Sequence, residues 1–192
     1  WLLRKPAKPD TPPRLSKPML LGSLALGGVL TIGINLQQIG LMFTTVTNSG
    51  FITGLYVILV PVFGLFIGMR THKGTWAGAL LALVGMVLLS VGPGFKVASG
   101  DWLQLVGAGF WAAHVLMVGA LASRYDAILV SFIQFVVCAV VSLVLAFIFE
   151  PIQLPMIQQA LPAILYAGVL AVGVAFTLQV VAQKDAITSH AA

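Results

Sequence analysis

Apolar runs alternate with short polar connectors along this chain. The runs predict helices at about Met19–Gln38, Asn48–Gly68, Trp76–Val91, Trp102–Ala122, Ile128–Phe149 and Leu161–Ala182. Each has roughly the 20-residue length that carries a helix across a bilayer. The connectors are RKPAKPDTPPRLSKP, MRTHKGT, GPGFKVASGD, SRYD and EPIQLPMIQQA, all rich in proline, glycine or charge. Trp1–Leu3 reads as the end of a preceding span, and the residues after Asp185 as the start of a following one. The expectation is therefore a piece of a longer protein.

The Asn48–Gly68 run organises the rest. Pro61 sits deep inside it, and Gly50, Gly54, Gly64 and Gly68 are spread through it. In water such a proline costs about 3 kcal/mol of helix stability. In lipid, neighbouring helices and hydroxyl groups satisfy the freed carbonyl. Gly50 and Gly54 are spaced for close approach by another helix, with Pro61, Gly64 and Gly68 near the same face.

Composition narrows the class. Hydrophobic residues make up 59% of the chain, charged residues 8%, and mean hydropathy is +1.05. Soluble domains carry about 25% charge, so the chain is expected to be an integral membrane protein in contact with lipid. Runs of this length indicate an all-α polytopic protein, because barrel strands are about half as long. The net charge of +5 comes from connectors, where Lys and Arg set topology and do not imply nucleic acid. Cys138 is the single cysteine and lies in an apolar run, so no disulfide forms within the chain.

Basic residues fix the expected sidedness. Arg4, Lys5, Lys8, Arg14 and Lys17 place the first connector in the cytoplasm. Alternation then puts Arg70, Lys73, Arg124 and Lys184 there too, and leaves Lys96 outside.

An internal echo follows. GVLTIGI at Gly28–Ile34 is matched by GVLAVGV at Gly168–Val174, and each is followed by a short break and a Thr/Ser-rich helix start. The first copy runs outward and the second inward. Opposite orientation of equivalent segments is the signature of inverted repeats in secondary transporters.

The residues resemble the EamA-type members of the drug/metabolite transporter superfamily. The likeness rests on Thr47–Gly54 (TNSGFITG), Pro61 in mid-helix, the glycine- and leucine-rich stretch Gly78–Leu89, Phe110-Trp111-Ala112, and the Ala186–Ser189 helix start. It implies ten spans in two inverted five-helix repeats. On that template residues 1–92 form a first repeat lacking its first span and most of its second. Residues 93–100 form an external link, and 101–192 form a second repeat that stops at the start of its fourth span. The resemblance implies export of a small organic metabolite or drug-like molecule by alternating access, from a bacterial inner membrane. One position departs from the pattern. Members often carry an acidic residue after the proline-containing helix, where this chain reads Gly68-Met69-Arg70-Thr71-His72. No role for such an acid carries over.

Polar groups on uncharged spans aim inward or at water. Thr31, Asn35 and Gln38 share one helix face, as do Trp111 and His114. His114 is the titratable group at the predicted midplane, placed to hydrogen-bond a substrate or take up a coupling proton, while Trp111 would stack on an organic substrate. The candidate substrate-binding set is Asn35, Gln38, Asn48, Tyr56, Trp111, His114 and Gln179. Competing readings are interhelical hydrogen bonding for Asn35 and Gln38, a helix cap for Asn48 and a satisfied buried histidine for His114. Ser131, Gln134, Cys138 and Ser142 form a stripe suited to helix contact, and Ala167, Ala171 and Ala175 a small face leading to Gln179.

No nucleotide loop, metal-ligand cluster or nucleophile–base set is present, so neither an enzyme nor a cofactor is expected. Asp10, Asp101, Asp126, Glu150 and Asp185 all fall in connectors. Two alternatives stand beside the exporter: a carrier of another substrate class in the same superfamily, and a non-transport membrane subunit. A phosphate carrier needs cations in its cavity, and the spans contain no Lys or Arg.

Overall fold

The computed structural model describes residues 15–69, 71–90 and 96–183. The expectations for Trp1–Leu3, Arg4, Lys5, Lys8, Asp10, Arg14, Arg70, Lys184, Asp185 and Ala186–Ser189 lie outside the described residues. The described residues are all-α, with no strand. Six helices follow one another: α1 Lys17–Leu41, α2 Val46–Phe66, α3 Lys73–Ser90, α4 Asp101–Ala122, α5 Ala127–Phe149 and α6 Leu154–Gln183. All but α3 are long and apolar enough to cross a membrane.

Local chemistry starts these helices where it should. Ser16 caps α1 by accepting from Met19 N at 3.4 Å, and Pro18 occupies the first turn, where no N–H is needed. Asp126 caps α5, accepting from Ile128 N at 2.9 Å and Leu129 N at 3.2 Å. Thr45 caps α2, accepting from Asn48 N at 3.1 Å. The cap is thus Thr45 and not Asn48, which lies inside the first turn.

Helical bonding is interrupted at Leu55, between one and two turns before Pro61: the Leu55 N–H turns to Ile52 O at 3.1 Å. Pro61 has no N–H to offer Val57 O, yet the helix continues through it to Phe66. Gly54 sits at the break against Met86 of α3. Gly50 has open space around it, so the expected Gly50–Gly54 contact face is not formed. The reason is rotational. α2 seats its Asn48, Ser49 and Ile52 side inward, which turns Gly50 outward.

Helix α1 runs through the middle, between α4 and α5. Its neighbours on α4 descend from Leu121 beside Gly22, through Phe110 beside Gly33, to Gln104 beside Gly40. On α5 they ascend, from Val137 beside Gly27 to Ser142 beside Asn35. So α4 is antiparallel and α5 parallel to α1. A Cβ added at Gly27 would stand 2.6 Å from Val137 Cβ, so this glycine is what lets α1 and α5 touch. Lys17 and Arg124 emerge at one end of the bundle and Lys96 at the other, as alternation requires. At the Lys96 end, Asp101 accepts from Thr44 Oγ1, from Asn48 Nδ2 at 3.2 Å and from Ala98 N at 2.7 Å. Asn48 Nδ2 also donates to Lys96 O at 3.0 Å.

Two apolar clusters form the core. Met19, Leu26, Val118, Ala122, Ala127, Val130 and Val180 meet at the Lys17–Arg124 end. Val60, Ala112 and Val115 form a smaller group between α2 and α4. Elsewhere large apolar side chains point outward, including Phe132, Val136, Val140 and Phe147 along α5. A face of that kind is stable in lipid and costly in water, and the chain is a multi-pass integral membrane protein.

Helix α6 departs from expectation twice. It begins at Leu154, inside a stretch read as a connector, because Pro155 and Pro162 are accommodated by the helix. Over Tyr166–Phe176 it widens to i→i+5 bonding. That winding redistributes the expected Ala167, Ala171 and Ala175 face. Ala167 and Ala175 are exposed, so they do not pack tightly.

Candidate functional site

A cavity of about 200 Å³ opens between α1, α2, α4 and α6. Among the described residues its lining is Gln37, Thr53, Tyr56, Trp111, His114, Val115, Phe176 and Gln179, none of them charged. Aromatic surface and amide or hydroxyl groups therefore share one uncharged chamber.

The aromatic wall is built by spacing. Trp111 and His114 are three apart on α4, with ring centroids 6.0 Å apart at 81°. Phe176 of α6 lies against Trp111 at 5.9 Å and 37°, and is held edge-on by Phe135 of α5 at 6.2 Å and 87°. Gly33 of α1 faces this wall, where an added Cβ would make ordinary contact with Phe110 Cβ at 3.5 Å and Trp111 Nε1 at 3.8 Å.

The polar wall is a loop of three side chains closed through the Gln37 main-chain carbonyl. Gln37 Nε2 donates to Thr53 Oγ1 at 3.2 Å, Thr53 Oγ1 donates to Gln104 Oε1 at 3.3 Å, and Gln104 Nε2 donates to Gln37 O at 2.9 Å. Gln104 is fully buried, and its amide ties α1, α2 and α4 together behind the cavity. Such buried loops are rigid when every member is satisfied.

His114 is 2% exposed, and its Nε2 lies 2.8 Å from Gln134 Oε1. With an amide oxygen as partner, Nε2 carries the hydrogen and Nδ1 keeps its lone pair. The imidazole then offers an acceptor, alongside amide donors and acceptors from Gln37 and Gln179. The arrangement suits binding and orienting an organic molecule.

The structure brings together Tyr56, Trp111, His114 and Gln179 of the sequence-derived set. It places the other three elsewhere. Asn35 Nδ2 donates to Thr31 O at 2.8 Å and to Ser142 Oγ at 3.1 Å, between α1 and α5. Gln38 is exposed. Asn48 is held at the Lys96 end by Asp101 and Lys96. Gln37, Thr53, Phe176 and the supporting Gln104 join the site without having been singled out from the sequence. Thr53 is one turn before Tyr56, and Phe176 one turn before Gln179, so helical spacing carried a signal for both. Gln37 against Gln38 is a choice of rotation about α1 that spacing leaves open.

Residues 98–192 match the pattern of the EamA-like transporter family. Two proteins of Archaeoglobus fulgidus, each described as an uncharacterized transporter, are similar in sequence. One is 40% identical over 88 residues, which is 45% of this chain and 28% of that protein. The other is 30% identical over 112 residues, which is 55% of this chain and 38% of that protein. The matches thus span well under half the length of these relatives. One solved crystal structure has the same fold, with a TM-score of 0.74 at 23% identity over 93% of this chain and 62% of the other.

Proposed function

Because the chain belongs to the EamA-like transporter family, homologous to uncharacterized archaeal transporters, we propose that it forms the core of a secondary transporter. The cargo is a small organic metabolite or drug-like molecule, and the direction is outward. The observation that carries this is the cavity itself: a half-aromatic chamber of about 200 Å³ between four helices of a lipid-embedded bundle, with no charge among its described lining residues. A flat apolar group would stack on the cavity side of the wall that Trp111 and Phe176 form together. Polar edges of the same molecule would pair with Gln37, His114 and Gln179. An uncharged lining disfavours phosphate-bearing cargo, which needs Arg or Lys.

Alternating access between inverted repeats supplies the mechanism. Residues 1–92 belong to one repeat and 101–192 to the other, joined by the 93–100 link. The outward GVLTIGI copy on α1 and the inward GVLAVGV copy on α6 support this division. Of the sequence-derived set, Tyr56, Trp111, His114 and Gln179 are the proposed substrate contacts, and His114 is the proposed site for a coupling proton. Asn35, Gln38 and Asn48 hold or border the frame.

The test is uptake and efflux of a metabolite panel by cells expressing the full-length protein, with Trp111→Ala and His114→Ala combined. Loss of cargo movement by about tenfold or more, at unchanged membrane abundance, is expected for removing a stacking contact and a buried hydrogen bond. Unaltered movement overturns the assignment.

A further inference from the structure

The cavity is closed toward the Lys17–Arg124 end by the larger apolar cluster. Leu26 and Met19 of α1, Val118 of α4, Val130 of α5 and Val180 of α6 are each 3% exposed or less. Four helices therefore meet in a dry plug directly beneath His114.

This plug has an anomaly. Three polar side chains are interleaved with it, and all are buried with atoms that find no hydrogen-bond partner among the described residues. They are Ser23 Oγ, Gln134 Nε2, and both Nε2 and Oε1 of Gln183. Ser23 is 0% exposed, Gln134 0% and Gln183 2%. Ser23 sits between Met19 and Leu26 on the same face of α1. Gln134 is one turn beyond Val130, and Gln183 one turn beyond Val180. Buried hydroxyls in helices usually bond back to the preceding turn. Thr31 does so to Gly27 O at 2.7 Å, and Ser131 to Ala127 O at 2.8 Å. Ser23 does not.

An orphaned buried polar atom opposes the state that buries it. An apolar plug built only for stability would carry alanine or leucine at these positions. Placing orphans there makes the closed plug less stable than its contacts alone would allow, and an opened plug would wet those same atoms. A two-state element needs this kind of balance, with neither state overwhelmingly favoured.

We propose that this four-helix cluster is the gate on the Lys17–Arg124 side of the cavity, and that Ser23, Gln134 and Gln183 line the path when it opens. The polar groups would then contact cargo and water in sequence, Gln134 beside His114 first, Ser23 and Gln183 nearer the exit. The proposal rests on the transporter reading and adds residues that the cavity does not contain.

The experiment uses the full-length protein in inside-out vesicles with Cys138→Ala as background. Ser23→Cys and Gln183→Cys are labelled with a membrane-impermeant maleimide. Ala112→Cys, equally buried but in the smaller α2–α4 cluster, sets the protected baseline. The gate predicts labelling of Ser23→Cys and Gln183→Cys at least about tenfold faster than Ala112→Cys, as an opening plug exposes them. Adding Gln183→Leu to Ser23→Cys removes one orphaned amide and should slow labelling by about tenfold. Labelling no faster than at Ala112→Cys overturns the gate, as does labelling that Gln183→Leu leaves unchanged. Either result leaves the cavity reading standing if cargo movement still depends on Trp111 and His114.

Discussion

His114 Nε2 and Gln134 Oε1 are 2.8 Å apart, joining two consecutive antiparallel helices at the foot of the cavity. This bond sets the rotation of the imidazole and so the direction of its free acceptor. Gln134→Leu would leave a buried N–H without a partner and cost about 1–3 kcal/mol of stability. Removing both groups, as His114→Leu with Gln134→Leu, should restore much of that loss. Thermal unfolding in detergent across the four proteins of the cycle checks it, with a coupling of about 1 kcal/mol expected. Additive losses would mean the pair does not act as one.

Gly27 and Gly28 are neighbours with opposite prospects. A Cβ at Gly27 would lie 2.6 Å from Val137 Cβ and 3.1 Å from Gln134 O, whereas Gly28 has nothing within 4 Å. Gly27→Val should therefore separate α1 from α5 and lower stability by about 1–3 kcal/mol. Gly28→Val, facing open space, should be close to neutral. The contrast is read from folded yield and melting temperature, and equal effects would refute the packing assignment.

Asp101 is 6% exposed and serves three donors: Thr44 Oγ1, Asn48 Nδ2 and Ala98 N. Asp101→Ala leaves all three wanting and should cost at least about 3 kcal/mol, the range for charge-assisted bonds. Asn48→Ala removes one donor and should cost less, about 1 kcal/mol. Denaturant or heat unfolding ranks the two. The same pair bears on Asn48: a substrate contact would change KM for cargo, while a strut would change stability alone.

Thr53 links Gln37 to Gln104 at the polar wall. Thr53→Val keeps the shape but removes the hydroxyl, freeing Gln37 to turn and leaving Gln104 Oε1 buried. The apparent KM for cargo should rise about fivefold, equivalent to about 1 kcal/mol, with little change in maximal rate. Thr53→Ser should restore the original value, because only the hydroxyl matters to the loop. A KM that follows the methyl group would point to shape instead.

Much of the fold was legible in the chain. Long uncharged runs bounded by Pro, Gly and Lys cannot satisfy their backbone groups in lipid except as helices, so Trp102–Ala122 and Ile128–Phe149 were found within one residue at their starts. The α6 boundary was harder, since Pro155 and Pro162 look like connector residues until the helix around them is seen. The site was legible in part for a similar reason. Spacing says which residues share a face, as with Trp111 and His114, but not which face looks at the cavity. Gln37 faces inward and Gln38 outward because α1 is rotated to seat Gly27 against α5 and Gly40 against α4.

Composition and charge by themselves determined that this protein lives in the bilayer as a set of helices, because solvation of apolar surface and of peptide groups depends on residue type along the chain. Which side chains meet was decided only by packing in three dimensions. The rotation of each helix comes from contacts between residues far apart in sequence. Those contacts placed Phe176 on Trp111, gave His114 its partner in Gln134, and left Ser23 and Gln183 buried without a partner among the described residues.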